Sequence, residues 1–185
     1  PLLEDKGSAY WIAVKAILAA IADFENTGEK TAITSALCEW YEIKNIKGIV
    51  PIIYHPEFTR DKFAMLATRI DNALKGKDQV FQKICEEAGA EVAKLTIKAV
   101  EKANLDLSPL PVFFSGGVLT YNYHAQKSFE KTLRDRFQIM LSQPRLPTVL
   151  GSTILALRES NVTITNDVVN QLTKTYKEAD EISKD

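Results

Sequence analysis

The chain has 185 residues, 45% hydrophobic and 25% charged, which is material for one ordinary folded domain and excludes disordered, collagen-like and low-complexity classes. Its 23 basic residues against 24 acidic ones leave a formal net charge of −1, so no global field draws it to nucleic acid or to an anionic membrane. Eight glycines and seven prolines are too few for a turn-dense all-β chain.

The first helix is expected to open at Gly7-Ser8, with Ser8 as its cap and Tyr10, Ala13, Val14, Ile17, Leu18 and Ile21 at helical spacing. Its apolar run over residues 16–22 imitates the centre of a signal peptide. Glu4 and Asp5 stand where a basic region belongs and Lys15 interrupts the run, so it reads as a core helix. A second helix covers residues 31–41, capped by Thr31, with Ile33, Leu37, Trp40 and Tyr41 on one face. Pro51 and Pro56 bracket a loop or a short broken helix. Thr59 then caps a helix carrying Phe63, Leu66, Ala67, Ile70 and Leu74, which ends before Gly76. Residues 78–104 form one long helix capped by Asp78, with Gly89 as its weak point.

At residue 110 the period changes. Residues 110–114 are β-branched and aromatic and stop at Ser115-Gly116-Gly117, the pattern of a short buried strand running into a tight turn. A helix over 123–137, a second strand over 138–141, a helix from Thr148 and a last helix over 166–182 follow. In the last, Val169, Leu172, Tyr176 and Ala179 fall at steps of three and four, a seam for another helix. The order from Asp78 onward is α/β. Two short strands do not make a self-sufficient sheet, so either further strands come from sequence outside these residues or the chain is mostly helical with a vestigial hairpin. A start at Pro1 rather than at methionine favours the first option.

The remaining chemistry-bearing residues read plainly. Cys38 and Cys85 are expected to be buried free thiols of a reducing compartment, and no run reaches the roughly 20 apolar residues of a membrane helix. His55 and His124 form no metal-ligand spacing with either cysteine, and no metal ligands are assigned. Lys127, Lys131, Arg134 and Arg136 are interrupted by Glu130 and Asp135, which makes a solvated helix face rather than a nucleic-acid patch. Trp11 and Trp40 are core or interface anchors, and the sequon at Asn161-Val162-Thr163 is idle.

Leu3-Glu4-Asp5-Lys6-Gly7-Ser8-Ala9-Tyr10-Trp11-Ile12 resembles the G-D-E-G-S-A-Y-W-I segment of eukaryotic-type N-acetylglucosamine kinases, of the sugar kinase, actin and heat-shock chaperone ATPase superfamily. Arg60-Asp61-Lys62-Phe63-Ala64 resembles that family's R-F-A segment, and residues 112–118 with Gly116-Gly117 resemble its strand-to-glycine nucleotide turn. Leu150-Gly151-Ser152-Thr153-Ile154-Leu155-Ala156 is similar to the family's late G-A-S-L-G-A helix start.

The resemblance implies the C-terminal lobe of a ribonuclease H-like, actin-like ATPase fold. The lobe would cover residues 1–160, with a C-terminal helix over 161–185 packed on it or on a partner. It implies ATP and Mg²⁺ as cofactors, an amino sugar such as N-acetylglucosamine as substrate, a cytoplasmic location, and a missing N-terminal lobe that supplies the phosphate loop and the catalytic aspartate. No catalytic residue is therefore assigned in this chain, which alone is expected to be inactive. A homodimer is compatible with this set; nucleic acid and membrane are not part of it. By the same resemblance Asp5 contacts the sugar, Ala64 lines the base pocket, Gly116 and Gly117 let the backbone approach the adenosine and α-phosphate, and Gly151 packs closely against the same cleft. Glu4 stands where the family has glycine and Lys6 where it has glutamate, which adds charge on both sides of Asp5. Two alternatives stand beside the kinase: an ATPase activator of a benzoyl-CoA or 2-hydroxyacyl-CoA reductase, and a non-enzymatic helical interaction module.

Overall fold

A computed structural model describes residues 5–182, the last three of them by backbone alone. The Ser8 hydroxyl accepts a hydrogen bond from the Trp11 amide at 3.1 Å and so starts α1 (Ala9–Phe24). Ile12, Ala13, Ala16, Ile17 and Ala20 are buried, so the signal-like run is a core helix. Thr31 caps α2 (Ala32–Trp40) through the Ile33 amide at 3.2 Å. The region expected to be a loop or a short broken helix holds the short α3 (Ile49–Ile53), which contains Pro51, follows a 3₁₀ turn (Ile46–Gly48) and ends before Pro56. Next come α4 (Arg60–Leu74), closed by Lys75 in the left-handed region, and α5 (Gln79–Lys102), capped by the Asp78 carboxylate on the Phe81 amide at 2.8 Å.

α1 packs on α2, α4 and α5, and α5 packs in turn on a later helix, α7 (Tyr123–Arg134). The second crossing explains the glycine inside α5. A Cβ on Gly89 would overlap the Ala125 carbonyl of α7, so the residue that weakens the helix is what lets two backbones touch. The expected helix over 123–137 is α7, which ends at Arg134, and a further helix that the pattern did not show stands before it. A five-residue α6 (Gly117–Tyr121) precedes α7, and the break falls at Asn122, whose extended backbone ends one helix while its side chain caps the next through the Ala125 amide at 2.9 Å. A five-residue helix is too short for its pattern to be read from periodicity.

β1 (Leu110–Phe113) and β2 (Ile139–Ser142) form a two-stranded sheet. The Leu110 amide donates to the Gln138 carbonyl at 2.7 Å and the Phe114 amide to the Ser142 carbonyl at 3.1 Å, so both strands advance together and the pair is parallel. This removes the vestigial hairpin: parallel strands need a crossover, supplied here by α6 and α7. α8 (Thr148–Glu159) and α9 (Asn166–Ile182) complete the described residues.

The chain divides into two compact units. One comprises the residues up to Val112 together with Gly116–Leu141; the other comprises Phe113–Ser115 and the chain from Ser142 onward.

Candidate functional site

Asp5 lies just ahead of the α1 cap, and its segment is held at several points. The Ser8 amide donates to the Asp5 carbonyl at 3.1 Å. Gly7 is buried with φ +86°, and a Cβ there would sit 2.5 Å from the Val92 side chain and 2.7 Å from the Ala88 carbonyl, so this turn is seated on α5 in a way that only glycine permits. Lys6 forms an ion pair with Glu91 of α5 at 3.9 Å. The Glu91 carboxyl is held below its usual range, first by a hydrogen bond from Lys94 and then, among other charges, by Lys6 itself. The positive charge that departs from the family's pattern is thus engaged by α5. Glu4, the other departure, lies outside the described residues.

The half-buried Asp5 carboxylate forms an ion pair, through Oδ2, with Arg60 at the first position of α4. The Arg60 guanidinium lies over the Tyr10 ring, 4.6 Å from its centre. Tyr10 meets Phe63 edge-on at 5.1 Å, and Phe63 meets Phe58 in the same way at 4.8 Å. Phe58 also lines a recess of about 350 Å³ with Pro51, Ile52, His55, Glu57 and Lys62. Ala64, half-buried, is one helical turn beyond Arg60 on α4. The structure therefore brings two of the expected site residues, Asp5 and Ala64, to the first turns of one helix.

Gly116 and Gly117 lie at the end of β1. Gly116 has φ +97° and ψ 147°, a backbone region that glycine alone occupies without strain, and a Cβ on either glycine would meet no atom within 4 Å. The turn is thus unobstructed on its Cβ side. No described hydrogen bond or ion pair joins it to Asp5 or Ala64. α6, which begins at Gly117, ends at a recess of about 420 Å³ between the α6–α7 break and the end of α4, lined by Asp71, Lys75, Tyr121, Asn122, Tyr123 and His124 among others. Tyr121 and Tyr123 are largely exposed there. The buried Asn122 amide donates to Asp71 at 2.9 Å and approaches the Cys85 sulfur at 3.4 Å. Sequence patterns gave these residues no role, because a recess between distant segments leaves no local signal.

Gly151 does not pack closely. It is exposed on α8 in the second unit, and a Cβ there would meet nothing within 4 Å, so tight helix packing does not account for it.

Cys85 is buried, and burial first, then the Asp71 charge, pushes its thiol up to about 12; it is no nucleophile. Cys38 is a free thiol but only half-buried. His124 faces Glu86 at 3.7 Å, and His55 accepts from the Glu57 amide at 3.3 Å. Three of the four basic side chains of α7 and its end pair with acids, Lys131 with Asp135, Arg134 with Glu130 and Arg136 with Glu101, and Lys127 lies over the Tyr123 ring, as on a solvated face. Among the described residues no group of three or more carboxylates, histidines and cysteines could hold a metal ion, and no helix is long and apolar enough to cross a membrane.

A helix-rich chain with a parallel βαβ unit, a glycine turn open at the strand end and a pinned carboxylate at a helix start is compatible with part of an α/β sugar kinase, and comparison with curated proteins finds a homologue of that class. The relative is the N-acetylmuramic acid/N-acetylglucosamine kinase of Clostridium acetobutylicum, 27% identical over 160 residues, which are 85% of this chain and 52% of the relative. The chain thus spans about half the length of the curated relative it matches, and the resemblance to N-acetylglucosamine kinases drawn from its motifs is borne out. No family model matches the chain.

Proposed function

We propose that this chain is one lobe of an ATP-dependent amino-sugar kinase, in which a sugar hydroxyl attacks the γ-phosphorus of ATP and ADP leaves. The observation that carries this reading is the match of 160 residues to a kinase of N-acetylmuramic acid and N-acetylglucosamine. The geometry supports it at two places. Asp5 presents a half-buried carboxylate, an acceptor of directional hydrogen bonds of the kind sugar hydroxyls donate, paired through Oδ2 with Arg60. The Gly116-Gly117 turn offers bare backbone where a nucleotide would pass, which suits an adenosine and its α-phosphate. Ala64, with its small side chain on α4, is assigned to the wall of the base pocket.

ATP supplies the phosphoryl group, and positioning and electrostatics do most of the catalytic work in such transfers. Mg²⁺ would be held chiefly by the phosphates, as it commonly is. The base that accepts the hydroxyl proton is assigned to the other lobe.

The test is ADP release by the full-length protein with N-acetylglucosamine and with N-acetylmuramic acid. Release that rises with either sugar is expected; hydrolysis indifferent to sugar would favour an ATPase activator instead, and absence of both would sink the kinase. In the same protein Asp5→Ala should weaken sugar binding by about tenfold or more, as loss of a charged hydrogen-bond acceptor does. ATP binding should change little. Equal losses for the two ligands by calorimetry would make Asp5 a structural residue.

A further inference from the structure

Between Asp5 and the aromatic cluster stands a residue to which the proposed reaction assigns no role. Arg60 is the first residue of α4, its guanidinium is engaged by the Asp5 carboxylate at Oδ2, and it lies over the Tyr10 ring. Tyr10 is itself fixed, on one side by its place in the first turn of α1 and on the other by the edge-on Phe63 ring. The guanidinium is therefore held against a fixed ring as well as by the carboxylate, and a planar fork held in place orients the acid it binds. Without such a contact Asp5 would rotate about two side-chain bonds at the start of the described chain, and the entropy of ordering it would fall on the sugar.

We infer that Arg60 is a positioning residue for the sugar site: it acts through Asp5, setting that carboxylate with one oxygen turned to the ligand, and Tyr10 is the shelf that sets Arg60. The inference rests on the kinase reading for what Asp5 binds, but not for the anchoring itself. It also separates two uses of a cation at this place. A guanidinium that reads a carboxylate on the substrate would favour N-acetylmuramic acid, which carries one, over N-acetylglucosamine, which does not. A guanidinium that acts through Asp5 serves both sugars alike.

The experiment uses the full-length protein with Arg60→Met, Arg60→Lys, Tyr10→Leu, Asp5→Asn and the double variant Asp5→Asn with Arg60→Met. Arg60→Met is expected to raise KM for both sugars about tenfold while KM for ATP moves less than about twofold. Arg60→Lys should recover part of the loss, and Tyr10→Leu should reproduce it more weakly. In the Asp5→Asn background, Arg60→Met should add little, because its partner is already altered. Amide exchange of residues 6–10 without any ligand should quicken about tenfold in Arg60→Met.

A full Arg60→Met effect in the Asp5→Asn background, a rise in KM confined to N-acetylmuramic acid, or an equal rise for ATP would overturn the inference. Unchanged amide exchange overturns the anchoring whatever the activity. If the wild-type protein shows no sugar-dependent ADP release, the kinase reading falls and the sugar-site role of Arg60 falls with it, while quickened exchange would still establish the anchor. Should Arg60→Met fail to fold, Arg60→Lys and Tyr10→Leu carry the same comparison between sugar and ATP.

Discussion

Gly89 and Gly151 both interrupt helices, yet their surroundings give opposite expectations. At Gly89 an added methyl group overlaps the Ala125 carbonyl where α5 crosses α7, and backbone cannot give way as a side-chain tip can. Gly89→Ala should therefore destabilise the chain by about 1–3 kcal/mol, the usual cost of overpacking, despite the better helix propensity of alanine. At Gly151 the same methyl group meets nothing within 4 Å, and Gly151→Ala should stabilise α8 by about 0.5–1 kcal/mol. Urea unfolding of the two variants checks both signs, and a stabilising Gly89→Ala would mean that α5 and α7 do not pack as described. Sequence alone shows two glycines inside helices and cannot rank them, because the difference lies wholly in what faces each one. The same is true of the candidate site: Asp5 was singled out by a resemblance in the residues around it, but its ion-pair partner Arg60 is far along the chain and could be quoted within a motif without that pairing being visible.

The helix starts were the most legible part of the fold, since a cap is a local device: Ser8, Thr31 and Asp78 cap helices through their side chains as their residue types predict, while Thr59 stands at the N-cap of α4 without a side-chain cap hydrogen bond. What the local pattern hides is that the caps are linked. The Asp78 carboxylate accepts from the Phe81 amide and also, through its other oxygen, from the Thr31 hydroxyl at 2.9 Å and the Ala32 amide at 2.7 Å, so one side chain serves the starts of α2 and α5. Asp78→Ala should accordingly cost more than a single cap, about 2 kcal/mol rather than the usual ~1. Asp23 makes the neighbouring joint, from the end of α1 to the start of α2. It is buried, accepts from the Thr34 hydroxyl at 2.5 Å and the Thr31 amide at 3.4 Å, and pairs with Lys30 at 3.0 Å. The Thr34 hydroxyl, then Lys30, hold its carboxyl below the usual range. A carboxyl whose pKa falls on folding contributes stability above its unfolded value of about 3.9, and that contribution is lost as pH drops through the lowered folded value. Asp23→Asn should thus be destabilising at pH 7 and close to neutral at a pH below both values. A destabilisation that does not shrink in acid, measured as the difference in urea midpoint from wild type, would show that the charge of Asp23 is not what joins the helices.

Across the whole chain, burial is distributed unevenly between the two units. In the first, α1, α2, α4, α5 and α7 each bury two or more side chains, and those of α5 include Phe81, Ile84, Cys85 and Val100. In the second, Leu150 is the buried residue of α8, while the described side chains of α9 are half-buried at best, with Val169, Leu172 and Tyr176 along one stripe. Helix propensity sustains an isolated helix of this length only marginally in water, so most of the protection of a helix comes from what its apolar face buries. Amides of α8 and α9 should therefore exchange with solvent on the order of a hundredfold faster than those of α5 and α7, since local opening follows local burial. The periodicity of α9 was visible in the sequence; how little it buries was not, because a stripe of apolar residues looks the same whether covered or bare. Exchange as slow in α9 as in α5 would mean that its stripe is covered in solution, whereas fast exchange restored to slow by an added segment of the full-length protein would identify what covers it.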